Sequence, residues 1–389
     1  MKLLPSSATP FYTKLAMVLI SIIAIGYLSV LAKEVLSPLL FAMLLSILLL
    51  PVAAFLEQRL KFRRSAAAGV SVILLIFFVV VIFYLIGSQL AGLASDWPQF
   101  KEQLTTTMAD FQHWISRNFH VNMVKQMAYV NTATSKLLTD STAVIGATVV
   151  SVSSILLFLV FTMINTFFLL FYRRHLVTFL VKIFKDDNEM IVYDVIAQVQ
   201  YIIRKYILGL LLEMAIVATV LCVVFWLLDI KYAMLLGIIT GLFNIIPYIG
   251  IFTALVFSVL VTFATAAGAT KIFLVVAAVV VMHLIDSNVL LPLIVGSKVK
   301  INGQITLLGV IVGEMMWGIP GMFLSIPVIA IAKIIFDRVE NLQPWGLLLG
   351  DEKDEKQPPP LKEKIADGTI YDEEDATTEN AGDTNTMAG

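Results

Sequence analysis

The feature that most limits how this chain can fold is the length of its apolar runs. Residues 13–32 read TKLAMVLISIIAIGYLSVLA and residues 35–56 read VLSPLLFAMLLSILLLPVAAFL, with Lys33 and Glu34 between them. A helix rises about 1.5 Å per residue, so about 20 such residues match a hydrocarbon core roughly 30 Å thick. Comparable runs recur over 66–87, 143–171, 207–228, 232–247, 250–267 and from 271 onward. The composition agrees: 59% hydrophobic and 14% charged residues, with mean hydropathy +0.91. A soluble domain has about 45–50% apolar and about 25% charged residues. The expected fold is an all-α polytopic membrane protein of about eight transmembrane helices.

Several function classes fall away on chemistry. The single cysteine, Cys222, excludes an intrachain disulfide. A net charge of −1 offers no field for nucleic acid, so none is expected as a partner. The four histidines are scattered, so no metal site is expected. There is no GxxxxGK[ST] phosphate loop, no HExxH and no GxSxG, which argues against ATP hydrolysis and proteolysis. No catalytic residue and no cofactor is assigned. A cleavable leader is not expected, because the first run passes directly into the second without a small-x-small site.

Charge sets the expected sidedness. EQRLKFRR places Arg59, Lys61, Arg63 and Arg64 against Glu57 in one short loop, which belongs in the cytoplasm. Residues 88–140 are polar enough to lie outside the membrane on the opposite side. There Trp97, Phe100, Leu104, Met108 and Phe111 follow helical spacing. Residues 173–206 carry six Lys/Arg and four acids and predict a cytoplasmic helical segment. The tail, 341–389, is acidic and proline-containing and predicts disorder on the cytoplasmic side, where both termini are placed. Residues 1–340 form the expected membrane domain.

The C-terminal half is interrupted. LFNIIPYIG holds Asn244, Pro247 and Gly250; HLIDSNVLLPLIVG holds Asp286, Asn288, Pro292 and Gly296. The block 305–336 would be nearly 50 Å long as one helix, and Gly313, Gly318, Pro320, Gly321 and Pro327 can divide it into two helices or a re-entrant pair. Polar groups in such runs are expensive unless paired, wetted or protonated. Asp286, Asn288, Glu213, Glu314 and Asn244 are therefore candidates for solute or ion coupling, and the glycines and prolines for helix breaks or gating. A structural reading competes for each: Asp286 capping a broken helix or pairing with Lys298 or Lys300, Asn244 steadying a kink.

FNIIPYIG at 243–250, DSNVLLPLIVG at 286–296 and VGEMMWGIPGMFLSIPVIAIAKIIF at 312–336 together resemble the AI-2E family of transporters, the autoinducer-2 exporter-like or PerM-like permeases. The resemblance covers roughly 13–340. It implies eight spans, a cytoplasmic C-terminus and assembly as homo-oligomers, pentamers among them. Asn244, Pro247 and Gly250 match the family's Asn-x-x-Pro-x-x-Gly pattern, Asp286 and Asn288 its acid-x-Asn pattern, and the later glycines and prolines its terminal pattern. After Val299 this chain has Lys300-Ile301-Asn302-Gly303-Gln304, where many members carry a proline-containing segment. Some relatives export autoinducer-2 and others exchange sodium or lithium for protons.

The expected function is export of a small polar solute or signal through the inner membrane, with ion coupling. The lipid bilayer and that solute, or a monovalent cation or proton, are its partners. The rivals are a sodium or lithium/proton antiporter using Asp286, Glu213 or Glu314, and a membrane scaffold without a substrate.

Overall fold

The computed structural model describes residues 11–96, 98, 102, 106, 123–184, 189–246, 249–265, 269–294 and 301–351, with backbone alone over 123–152. The expected surface helix on Trp97 to Phe111, the tail beyond 351, and Lys298 and Lys300 lie outside the described residues.

All regular structure among the described residues is helical. Helices α1 (Phe11–Leu31) and α2 (Lys33–Gln58) meet at Ala32. A basic turn leads to α3 (Arg64–Ser95), and α4 (Met123–Ile183) and α5 (Glu189–Leu227) follow. Shorter elements then succeed one another: α6 (Ala233–Phe243), α7 (Ile249–Thr265), α8 (Ala269–Ile285), a π-helical turn (Asp286–Leu290) and α9 (Leu291–Ile294). The chain closes with α10 (Gly303–Trp317), α11 (Ile319–Arg338), a 3₁₀ turn (Glu340–Leu342) and α12 (Gln343–Leu349).

Six helical stretches are long and apolar enough to cross a membrane: Lys33–Gln58, Arg64–Ser95, Ser153–Ile183, Glu189–Leu227, Thr270–Ile294 and Ile319–Arg338. This is an all-α, multi-pass membrane protein. Four apolar helices are shorter: Leu15–Leu31, Ala233–Phe243, Gly250–Phe263 and Gly303–Trp317. The expected fifth span begins earlier than its apolar run, because α5 starts at Glu189.

The interior falls into three apolar clusters. Leu49, Ala53, Ala68, Val72, Met163 and Leu170 bind α2, α3 and α4 together. Leu44, Ile203, Tyr206, Ile207, Leu210 and Leu324 join α2, α5 and α11. Val217, Leu221, Phe225, Leu236, Val261, Val275, Val279 and Met282 join α5 through α8. Many large apolar side chains on α1 and α3 are exposed, such as Ile23 and Phe77, as lipid-facing helices require.

Ion pairs tie the two ends of the bundle. At one, Arg173 holds Glu57 at 2.6 Å and Arg338 holds Asp194 at 2.5 Å. At the other, Asp96 at the end of α3 accepts from Lys231 at 2.5 Å and from the Tyr232 hydroxyl at 2.7 Å, between α5 and α6.

Gly318 divides the last apolar block. Its φ of +68° is a conformation that side-chain-bearing residues rarely adopt, and it turns α10 back along α11. Gly313 and Gly321 face each other across this hairpin so closely that a Cβ on either would strike the other's carbonyl. The turn is anchored to α1 by Trp317 Nε1, which donates to the Ser29 carbonyl at 2.9 Å. α12 packs on α11, with Gly346 against Asp337, so the described fold continues past 340.

Candidate functional site

Three helix faces converge on one polar point. On α5, Ile203, Leu210, Glu213, Val217, Leu221 and Phe225 form a single buried stripe at helical spacing. Glu213 sits within it, between the two apolar clusters that α5 joins.

The stripe meets α6 through glycines. Gly237 and Gly241 lie four residues apart on one face, and the absent side chains let the backbones close up. A Cβ at Gly237 would strike Cys222, and one at Gly241 would lie 2.7 Å from both Ala218 Cβ and the Met214 carbonyl. Asn244 is three residues beyond Gly241 on this face, so the contact that brings α6 against Ala218 carries Asn244 to Glu213.

The third face belongs to α8. Val275, Val279, Met282 and Asp286 recur at four, three and four, and all are buried. At Asp286 the helix widens: Leu291 N–H donates to the Asp286 carbonyl five residues back. Pro292 supplies the cause, because it has no N–H for the Asn288 carbonyl and its ring would strike that carbonyl in a regular helix.

Asn244 Nδ2 donates to Glu213 Oε1 and to Asp286 Oδ2, each at 3.1 Å. One amide thereby bridges two buried carboxyl groups from helices 73 residues apart in sequence (286 − 213). Glu213 Oε2 and Asp286 Oδ1 have no hydrogen-bond partner among the described residues. None of the ion pairs there involves either group. A cleft of about 10 Å³ reaches Asp286 and the bridging Asn244, beside Thr240 and His283, with Val217, Ile251 and Met282 among its apolar walls. That volume is the scale of one water molecule.

The other candidates are placed differently. Asn288 is exposed and donates to the Leu284 carbonyl of its own helix at 2.8 Å. Glu314 is exposed on α10. Gly250 closes the turn after Asn244, where a Cβ would collide with the Phe243 carbonyl. Pro292 opens α9, Pro320 lies in the first turn of α11 and Pro327 is buried inside that helix. Pro247 and Gly296 lie outside the described residues. The breaks at 244–246 and 286–292 therefore meet through a polar bridge. The break at Gly318 adjoins them through apolar packing, with Ile245, Ile294 and Trp317 against the cluster built on Tyr206 and Leu210.

Thr240 and His283 also line the cleft; His283 shares a helical face with Asp286 in the sequence, and Thr240 is not among the candidate residues. Thr240 was findable: it stands one turn before Asn244, as His283 stands before Asp286.

A family profile described as AI-2E family transporter matches residues 16–341. YrrI of Bacillus subtilis is 32% identical over 130 residues, covering 33% of this chain and 36% of the relative. YueF of the same organism is 26% identical over 263 residues, 66% of this chain and 71% of the relative. The AI-2 transport protein TqsA of Escherichia coli is 29% identical over 130 residues, 32% of this chain and 36% of the relative. The YrrI and TqsA matches thus span about a third of those proteins, whereas the family profile spans the described bundle, its broken helices and the bridged carboxyls alike. On that match, this multi-pass chain belongs to the AI-2E transporter family.

Proposed function

We propose that the chain exports a small polar solute, driven by an ion gradient, and that Glu213 and Asp286, bridged by Asn244, form its coupling site. The observation that carries this is the single amide holding two buried carboxyls, each with one oxygen unpartnered among the described residues. Two ionised carboxylates side by side in a low-dielectric interior repel each other and are poorly solvated. A proton or monovalent cation relieves both penalties. Its arrival and departure then bias a junction of two interrupted helices, where a change of packing opens or closes a path. Asn288, Glu314 and the Gly313–Gly321 hairpin serve this cycle as outer contacts and as a hinge.

The topology that fits counts α1 to α5, α8, α10 and α11 as eight crossings, with α6 and α7 as a re-entrant pair. At about 1.5 Å per residue the 11 residues of α6 reach about 16 Å, far enough to bring Asn244 inside the bilayer. Both termini and the acidic tail then lie in the cytoplasm, and the basic turn at Arg59 to Arg64 supports that orientation. The protein resides in the bacterial inner membrane. Assembly as a homo-oligomer, a pentamer in the family's pattern, belongs to the same proposal.

A second reading, sodium or lithium/proton antiport, is favoured by the same carboxyl pair, because unpartnered oxygens can also coordinate a bare cation. Proteoliposomes with an imposed pH gradient separate the two. Labelled autoinducer-2 moving with the gradient supports export, and collapse of the gradient by sodium or lithium chloride without solute supports antiport. Neither response, with the protein folded and inserted, favours the scaffold instead.

A further inference from the structure

A buried coupling site needs a way to exchange its proton, and one side chain beside the carboxyl pair suits that task. His283 stands one turn before Asp286 on the same face of α8, and both line the cleft with Asn244 and Thr240. The imidazole is half-buried, Asp286 is buried and Ser287 is exposed. The Ser287 hydroxyl lies 3.4 Å from His283 Nδ1 and 3.3 Å from Nε2. These three groups make a graded series from an exposed hydroxyl, through an imidazole, to a buried carboxyl. The cleft of about 10 Å³ that His283 and Asp286 both line has room for about one water.

Histidine is suited to such a position. Its ring has two nitrogens, one able to accept a proton while the other donates, and it changes charge near neutral pH. Among the described residues, the titratable groups around it are Asp286 in the adjoining π-helical turn and Glu213 on α5, the latter reached through Asn244. The residues that the chain from α6 to α7 presents to the cleft among the described residues, Thr240, Asn244 and Ile251, are neutral, and no described lysine or arginine lines it.

We propose that His283 is the proton relay of the coupling site, passing protons between the Ser287 side of the cleft and Asp286. This rests on the reading of the carboxyl pair as the coupling site. In the inward step, one ring N–H bond breaks as its proton passes through the water to an Asp286 oxygen, forming an O–H bond. The other ring nitrogen takes up a proton from a hydronium ion on the Ser287 side, whose O–H bond breaks to leave water, so the imidazole regains its starting charge. The outward step is the reverse.

Infrared difference spectroscopy of the full-length protein in proteoliposomes, after a rapid drop in pH, tests this without knowledge of the solute. The carbonyl stretch of the protonated carboxyl is assigned by its loss in Asp286→Asn. In His283→Gln the band should reach its wild-type amplitude about tenfold or more slowly, since positioned proton-transfer groups contribute at least that much. Added imidazole should restore the rate in His283→Ala. A wild-type rate in His283→Gln overturns the relay, as does a slow rate in His283→Ala that imidazole leaves unchanged. Should both variants misfold, Ser287→Ala supplies the reading: slower protonation supports the relay and an unaltered rate overturns it. A different outcome, in which no carboxyl band depends on Asp286 or Glu213, removes the coupling reading itself and the relay with it.

Discussion

Asn244 donates both of its amide hydrogens to carboxyls from other elements of the fold. Replacing it with leucine keeps the bulk and removes both donors. Asn244→Leu should lower stability by about 1–3 kcal/mol, the usual consequence of stranding buried polar groups, and abolish gradient-driven flux. Thermal unfolding and proteoliposome flux measure the two effects separately. At the far end of the bundle Asp96 makes stability depend on pH. Hydrogen bonding to Lys231, then to Tyr232, holds the Asp96 carboxyl below its ordinary value of 3.8. Its stabilising contribution is therefore complete above that value and disappears as pH falls through the lower folded value. Burial, then the bond to Asp96, pushes the Tyr232 phenol up to about 12, so its contribution is complete below 10.0 and disappears as pH rises through about 12. Wild type should unfold at a higher temperature than Asp96→Asn between about pH 4 and pH 10, and the two should converge at more acid pH.

The polar candidates were legible one by one, because each interrupts an apolar run, but their partnership was not. Glu213, Asn244 and Asp286 lie on separate elements whose membrane-embedded stretches are mostly apolar on every side, so hydropathy alone cannot say which face turns inward. Asn288 and Glu314 look equivalent in sequence and are exposed in the structure.

At the scale of elements, close backbone contact positions the site. Gly241 lies against Ala218 and the Met214 carbonyl, one turn from Asn244. Gly241→Val should force α5 and α6 apart, lower stability by about 1–3 kcal/mol through overpacking, and break the amide bridge. Reduced thermal stability together with loss of coupled flux would be the signature. Gly318→Ala is a milder test of the hairpin: with φ at +68°, a side chain there should cost about 1 kcal/mol in thermal unfolding and, because the hairpin serves as the hinge, slow coupled flux. The break at Gly318 was readable from the length of its block and its Trp-Gly-Ile-Pro-Gly sequence. The π-helical turn was not, because a proline at 292 can end a helix, kink it or be absorbed by one extra residue in a turn. Packing against α5 decides among these.

At the scale of the whole molecule, two halves divide the work. The first four helices form a plain apolar frame that their apolar runs and basic borders announced, though α3 and α4 (Arg64–Ser95, Met123–Ile183) run beyond the expected spans 66–87 and 143–171. From Glu189 onward, glycines, prolines and the π-helical turn bring distant carboxyls to one point, and contacts of that range leave no local periodicity to read. We infer that this point binds the ion whose movement drives transport. Simultaneous measurement of proton and solute flux in proteoliposomes, for wild type, Glu213→Gln, Asp286→Asn and the double variant, tests it most directly. Because the two carboxyls act as one unit, each single variant should abolish coupled flux and the double variant should lose nothing further. Full coupled flux in a correctly folded Glu213→Gln or Asp286→Asn protein would contradict the account.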